Sequence, residues 1–189
     1  RRDGECPVRV MIVLPDGRSF APEIIPHDDF TCGVIKDAGD DPDITNGCEV
    51  LARVEPGESL GPVRFRAGEG VGVVTGPGLK LPPGEAAVNP GPRAMIERAV
   101  RSVLGPRAAV VTVSVPGGEV LAQRTFNPRL GVEGGLSILG TTGVVRPMSE
   151  EALKASIALE LNVHRTKGTA ALALTFGNQG EEALARTSP

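Results

Sequence analysis

Four carboxylates crowd one short string, VIKDAGDDPDITNG, at Asp37, Asp40, Asp41 and Asp43, with Gly39 and Pro42 among them. Acidic side chains this dense on a loop can bind a cation, or can hold one carboxyl at raised pKa as a general base. Asp, Gly and Pro are equally the residues of an ordinary turn, and both readings stand on these residues alone. A calcium loop is excluded, because the DxDxDG order is absent.

Glycine-rich strings form a second group. Gly68-Glu69-Gly70-Val71-Gly72 and Gly140-Thr141-Thr142-Gly143 bring backbone N–H groups and hydroxyls to positions where a carboxylate or ribose can sit. Neither is a P-loop, since no Gly-Lys-Ser/Thr follows. The whole stretch from Thr125 to Pro147 is poor in bulky side chains, which suits either a tight turn or close approach of backbone to a ligand. Arg93, Arg129 and Arg146 each adjoin a proline, a rigid placement suited to bidentate carboxylate recognition, with solvent-facing arginine as the alternative. His27 and His164 have no metal-ligand spacing, no Gly-x-Ser-x-Gly elbow exists, and Cys6, Cys32 and Cys48 form no CxxC pair, so no metal site, hydrolase triad or disulfide framework is expected.

These residues must be positioned by short strands and a few helices. Val8–Leu14 and Arg18–Ile25 flank Asp16-Gly17 as a hairpin. Short strands are expected near Gly33–Asp37 and Glu49–Val54, and Val63–Thr75 reads as two strands broken at Gly68–Gly70. Pro77–Pro90 is loop. Asn89 and Pro90 start a helix whose apolar positions, Met95, Ile96, Ala99, Val100 and Val103, recur at helical spacing, and Gly105 stops it. Ala109–Val115 predicts a strand, Pro116-Gly117-Gly118 a turn, and Val120–Thr125 a return strand. A helix capped by Ser149 runs to about His164. Ala170–Thr175 predicts a last strand, followed by a glycine turn and a helix at EEALA. This order describes an α+β domain over residues 1–139, then the beginning of a smaller α/β domain over 140–189.

Composition narrows the function classes. A net charge of −3 gives no field that recruits nucleic acid or an anionic membrane. Trp and Tyr are absent and Phe numbers five, so base-stacking platforms are few and the core must rest on Val, Leu, Ile and Ala. Apolar runs fall short of the ~20 residues that span a bilayer, and a soluble, cytoplasmic protein is expected. The chain starts at Arg1 and stops at Pro189 just after an expected helix start, which reads as truncation at both ends.

Longer strings go further. VIKDAGDDPDITNG, GEGVGVVTGPGL, VNPGPR, VSVPGGEVLAQRTFNPRLGVEGGLSILGTTGVVRPMS and TFGNQGE occur in this order between about Val8 and Glu182. In these strings the chain resembles the cobalt-precorrin-5B (C1)-methyltransferases of anaerobic cobalamin biosynthesis. The family's Gly-Phe-Thr-Thr-Gly-Thr-Cys stretch would precede Arg1, and Phe176 stands where the family's Thr-Pro-Gly-Asn string has proline.

The resemblance implies a first domain similar to the fold shared by a ribosomal-protein domain and the sugar kinases. It implies methyl transfer from S-adenosylmethionine to C1 of cobalt-precorrin-5B, giving cobalt-precorrin-6A, with cobalt present only in the substrate. Asp37 and Asp40 are then the candidate catalytic residues, orienting the donor or accepting a proton. Arg93, Arg129 and the glycine runs become candidates for the corrinoid's carboxylates. Asp41, Gly68, Glu69, Gly70, Asn89, Asn127, Gly140, Thr141, Thr142 and Gly143 complete the expected binding set. The expected partner is the corrinoid substrate, without nucleic acid or membrane, and a homo-oligomer is left open. Two alternatives remain: a non-catalytic corrinoid- or nucleotide-binding module (or an inactive piece of the enzyme), and a small-molecule kinase by analogy of fold.

Overall fold

The computed structural model describes residues 7–14, 16–140, 150–175 and 177–187. The chain opens with a two-stranded hairpin, β1 (Ile12–Val13) and β2 (Ser19–Phe20), turned at Gly17, whose φ of 85° is the left-handed conformation glycine reaches freely. Ile12↔Phe20 and Val13↔Ser19 pair, and in the same register an isolated antiparallel bridge joins Arg9 to Glu23. Ile24 N–H donates to the Val8 carbonyl at 2.8 Å, so the two arms lie together along the expected hairpin. Next come β3 (Ile25–Pro26), β4 (Thr31–Ile35), β5 (Glu49–Leu60), β6 (Val63–Ala67) and β7 (Val73–Val74). Helix α1 (Pro90–Leu104) leads into β8 (Arg107–Ser114), and short elements follow: α2 (Gly118–Ala122), α3 (Asn127–Leu130) and β9 (Val132–Glu133). Helices α4 (Glu150–Thr166) and α5 (Gly177–Thr187) are the remaining described elements.

The central sheet has five strands in the order β3-β4-β5-β8-β6, antiparallel except for the parallel pair β6–β8. A parallel pair needs a crossover, and α1 lies on that connection and packs against both strands. Side chains alternate along β8: Ala109, Val111 and Val113 are buried while Val110, Thr112 and Ser114 are only half-buried. The buried face meets Val88, Val100, Phe65 and Ile96, so one core of small aliphatic residues fills the space between sheet and α1. Arg101, in the last turn of α1, donates to the carbonyls of Gly61 at 2.8 Å and Arg107 at 2.7 Å, which ties the helix end to the strands it covers.

Helix α1 matches its sequence signals. Prolines occupy its first turn, and Gly105 ends it at φ 61° with its N–H on the Arg101 carbonyl at 2.9 Å. The turn at Gly68–Gly70 divides β6 from β7 as expected.

Two expected strands are absent. Val120–Thr125 is not a return strand; residues 118–122 are the helix α2. The reason is topological: β5 and β6 occupy both edges of β8, so a hairpin partner has no edge to join. Val120 consequently points to solvent and Ala122 inward. Ala170–Thr175 is not a strand either. Its residues are exposed, with Leu174 78% accessible, and no described strand lies beside it to complete a ladder. Helix α5 after it does form. Ser149, the expected cap of α4, lies outside the described residues. Helix α4 is held to the rest of the chain where fully buried Val163 packs on Gly78, and Asn162 Nδ2 donates to the Gly78 carbonyl at 2.7 Å. No helix among the described residues is long and apolar enough to cross a membrane.

Candidate functional site

Register brings the expected residues together at one end of the sheet. Ile35 pairs with Glu49, Leu51 with Ser114, and Ala67 with Val113, so the exits of β4, β6 and β8 and the entrance of β5 lie side by side. The acidic loop 36–48, the turn 68–70 and the turn 116–118 all leave from that end.

The acidic loop is closed by its own hydrogen bonds. Gly47 N–H donates to the Lys36 carbonyl at 2.9 Å, and Ala38 N–H to Asn46 Oδ1 at 2.9 Å. Asp37 is exposed and accepts from Gly39 N–H at 2.8 Å; Asp40 is exposed, and Asp41 is half-buried at the turn closed by its N–H on Ala38. The fourth acid behaves differently. Asp43 accepts from Lys36 Nζ and from Thr45 N–H at 2.7 Å, while Lys36 also donates to Thr45 Oγ1 at 2.6 Å. Partial burial alone would raise the Asp43 carboxyl, but the hydrogen bonds from Lys36 and Thr45 outweigh it and hold it below the ordinary carboxylate value. Asp43 therefore braces the loop that carries the other three.

A depressed carboxyl contributes stability above its unfolded value of 3.8, and that contribution is lost as pH falls through the lower folded value. Asp43→Asn is expected to cost about 1–2 kcal/mol at pH 7. In urea melts the gap between the two proteins should stay constant from pH 7 to 5 and close below about pH 4. A gap independent of pH down to 3 would exclude the charged Asp43 as the brace.

The glycine turn meets other glycines. A Cβ on Gly70 would lie 1.9 Å from the Val115 carbonyl oxygen, and one on Gly135 2.4 Å from Gly70. Gly118 has the same relation to Gly70, at 2.4 Å from its carbonyl oxygen. Main-chain bonds join these segments: Val115 N–H donates to Glu69 and Leu136 N–H to Gly70, each at 2.8 Å. Gly68 would carry its Cβ into the Ser114 hydroxyl at 2.0 Å, and Glu69 itself is exposed. Packing of backbone on backbone thus accounts for glycine at 70, 118 and 135, and the Ser114 side chain for glycine at 68.

A second group of expected residues surrounds a small apolar cavity of about 40 Å³, which Asn89, Asn127, Ser137 and Leu159 of α4 help to line. Asn89 starts α1 without a side-chain capping bond, which leaves its amide at the cavity wall. Asn127, buried, donates to the Gly135 carbonyl at 3.2 Å and accepts from Ser137 Oγ at 3.0 Å. Arg93 directs all three guanidinium nitrogens inward: to the carbonyls of Val88 at 2.7 Å and Ala86 at 2.8 Å, and to Glu85 Oε2 at 2.9 Å. Its guanidinium carbon also sits 5.0 Å from the Phe65 ring centre. Arg129 is exposed in the last turn of α3, and Gly140, at φ 38°, lies against Pro92. Thr141, Thr142 and Gly143 fall outside the described residues.

A third feature is an open cleft of about 260 Å³ between α2 and β9, with Glu119, Gln123 and Glu133 around it. Val132 lines both the cleft and the apolar cavity. Reading Val120–Thr125 as a return strand hides this site, because it is helix α2 that places Glu119 and Gln123 beside β9. Among the described residues no group of three or more His, Cys, Asp and Glu is placed to hold a metal.

The family model described as CbiD matches residues 2–147. The chain is 50% identical over 182 residues to a protein of Syntrophotalea carbinolica named cobalt-precorrin-5B C(1)-methyltransferase, covering 94% of this chain and 51% of that protein. A protein of the same name from Desulfitobacterium hafniense is 56% identical over 147 residues, covering 78% of this chain and 38% of it. The 1.9 Å crystal structure of the cobalamin biosynthesis protein cbiD from Archaeoglobus fulgidus superposes with a TM-score of 0.59 at 32% identity, over 82% of this chain and 51% of that one. The chain spans about half the length of the curated relatives it matches.

Proposed function

This chain belongs to the CbiD family, and on that premise we propose that it supplies part of the machinery for methyl transfer from S-adenosylmethionine to C1 of cobalt-precorrin-5B, giving cobalt-precorrin-6A. The observation that carries the reading is identity of 50% over 94% of the chain to a relative bearing that name. Cobalt belongs to the substrate, and the methyl donor supplies an electrophilic methyl group to a ring carbon. The protein's contribution to such a displacement is positioning the two reactants and excluding water.

The convergence of the acidic loop and the turn at Gly68–Gly70 on one end of the sheet supports a ligand site there. Asp37, Asp40 and Asp41 are proposed as its polar contacts, one of them taking a proton if C1 must lose one. Arg129 and the segment 140–143 are proposed for the corrinoid's acetate and propionate groups. Arg93, whose nitrogens hold the Glu85–Val88 segment, is proposed to position Asn89 rather than to touch substrate.

The likeness of residues 1–139 to the ribosomal-protein and sugar-kinase fold is part of the same proposal, supported by a five-stranded sheet with α1 on one face. So are an α/β domain beginning near residue 140, a cytoplasmic location and a homo-oligomer. A second reading follows from the partial span: this half binds corrinoid or donor without itself completing transfer.

The test is a chimera in which this chain replaces the matching half of the Syntrophotalea carbinolica relative. Incubated anaerobically with cobalt-precorrin-5B and methyl-labelled S-adenosylmethionine, it is expected to place label on the corrinoid at C1. An unlabelled corrinoid from a folded chimera refutes the transferase reading.

A further inference from the structure

We propose that the cleft between α2 and β9 receives the cationic end of the methyl donor, its sulfonium or its α-ammonium, and not the corrinoid; this rests on the methyl-transfer reading above. The cleft is walled by carboxylates from two separate elements. Glu119 lies in the first turn of α2, with Gln123 one helical turn on, and Glu133 faces them from β9. Thr75 Oγ1 donates to Glu133 Oε1 at 3.1 Å, which orients that carboxylate instead of leaving it to swing in solvent. None of the residues lining the cleft is basic.

Charge sorts the two reactants. A corrinoid fringed with carboxylates is repelled by a lining that carries two glutamates and no basic side chain, whereas a sulfonium or ammonium is attracted. The floor suits the same ligand: Ala122, Pro128 and Val132 present apolar surface, against which a methyl and methylene chain can lie. Volume fits as well. Pockets that engulf a drug-sized ligand run from ~300 Å³ upward, and about 260 Å³ holds the methionine end while leaving the adenosine to reach outward. Gly134 borders the cleft at φ 80° with open space where a Cβ would stand, so bare backbone forms that rim.

Titration calorimetry on the chain with three probes tests this: S-adenosylmethionine carries both cations, S-adenosylhomocysteine only the ammonium, and 5′-methylthioadenosine neither. Glu119→Gln and Glu133→Gln keep size and hydrogen bonding while removing charge. Each is expected to weaken S-adenosylmethionine binding about tenfold and leave 5′-methylthioadenosine unchanged. Parallel weakening of S-adenosylhomocysteine assigns the ammonium to the cleft, and an unchanged value assigns the sulfonium. S-adenosylmethionine affinity unaltered in both variants, or all three probes weakened alike, overturns the cleft assignment while the methyl-transfer reading stands. No binding of any probe by the unaltered chain removes both.

Discussion

Gly70→Ala is expected to destabilise the protein by about 4 kcal/mol or more, lowering its melting temperature by on the order of 10 °C. Two costs combine. At φ 69° the alanine occupies a left-handed conformation that costs about 1–2 kcal/mol. Its Cβ would also stand 1.9 Å from the Val115 carbonyl oxygen and 2.8 Å from the Gly118 nitrogen, both main-chain atoms that cannot rotate away. Relief requires the exits of β6 and β8 to separate, which breaks the bonds of Val115 to Glu69 and Leu136 to Gly70. Gly134→Ala is the internal control. It has φ 80° but nothing within 4 Å of the added carbon, so it should show the conformational cost alone. Equal melting temperatures for the two variants would show that the contact of glycine on glycine is not what holds the strand exits together.

Arg93→Met is expected to cost about 3 kcal/mol in a urea melt, because it leaves the buried Val88 carbonyl without its guanidinium donor and takes from the Ala86 carbonyl one of two donors, the Val88 N–H at 2.6 Å remaining. Val88 is fully buried and Ala86 4% exposed, so water cannot substitute. The stack on Phe65 and the ion pair with Glu85 are lost as well. Arg93→Lys should recover less than half of the loss, since one ammonium cannot reach three acceptors in different directions. The reading of Arg93 as a carboxylate clamp, open on the sequence alone, predicts the reverse pattern: unchanged stability and weakened ligand binding. A melt within about 0.5 kcal/mol of the unaltered protein would favour the clamp.

Legibility followed the range of the interaction that decides each feature. Helix α1 was readable because its signals, Asn89, Pro90, the apolar spacing through Val103 and Gly105, all lie within one local window. The break at Gly68–Gly70 was readable for the same reason. At Val120–Thr125 the local pattern favours a strand, and what overrules it is distant: β5 and β6 already flank β8. At Ala170–Thr175 the pattern again favours a strand, and no neighbour among the described residues completes it.

The site divides in the same way. The loop holding Asp37, Asp40 and Asp41 is visible in its composition, but Lys36 with Asp43 as its brace is a tertiary arrangement. Glycine-rich strings suggested ligand contact, and the structure gives Gly70, Gly131 and Gly135 a packing reason instead, because each meets main chain far away in sequence. Glu119 and Glu133 had no local signal; helix α2 and the short pairing of β7 with β9 bring them to one cleft.

The place of β8 between β5 and β6 also dictates an order of assembly. A chain synthesised from its N-terminus can close β4 on β5 early, because only the loop 36–48 separates them. Strand β6 has no such freedom. Its one ladder partner is β8, which begins forty-four residues after β6 starts, at Arg107. Until residues 107–114 emerge, β6 and the far edge of β5 remain unpaired, and the apolar face that α1 will cover stays open. The sheet is therefore completed by insertion of β8 between β5 and β6, and the turns at 68–70 and 116–118 acquire their geometry only at that moment.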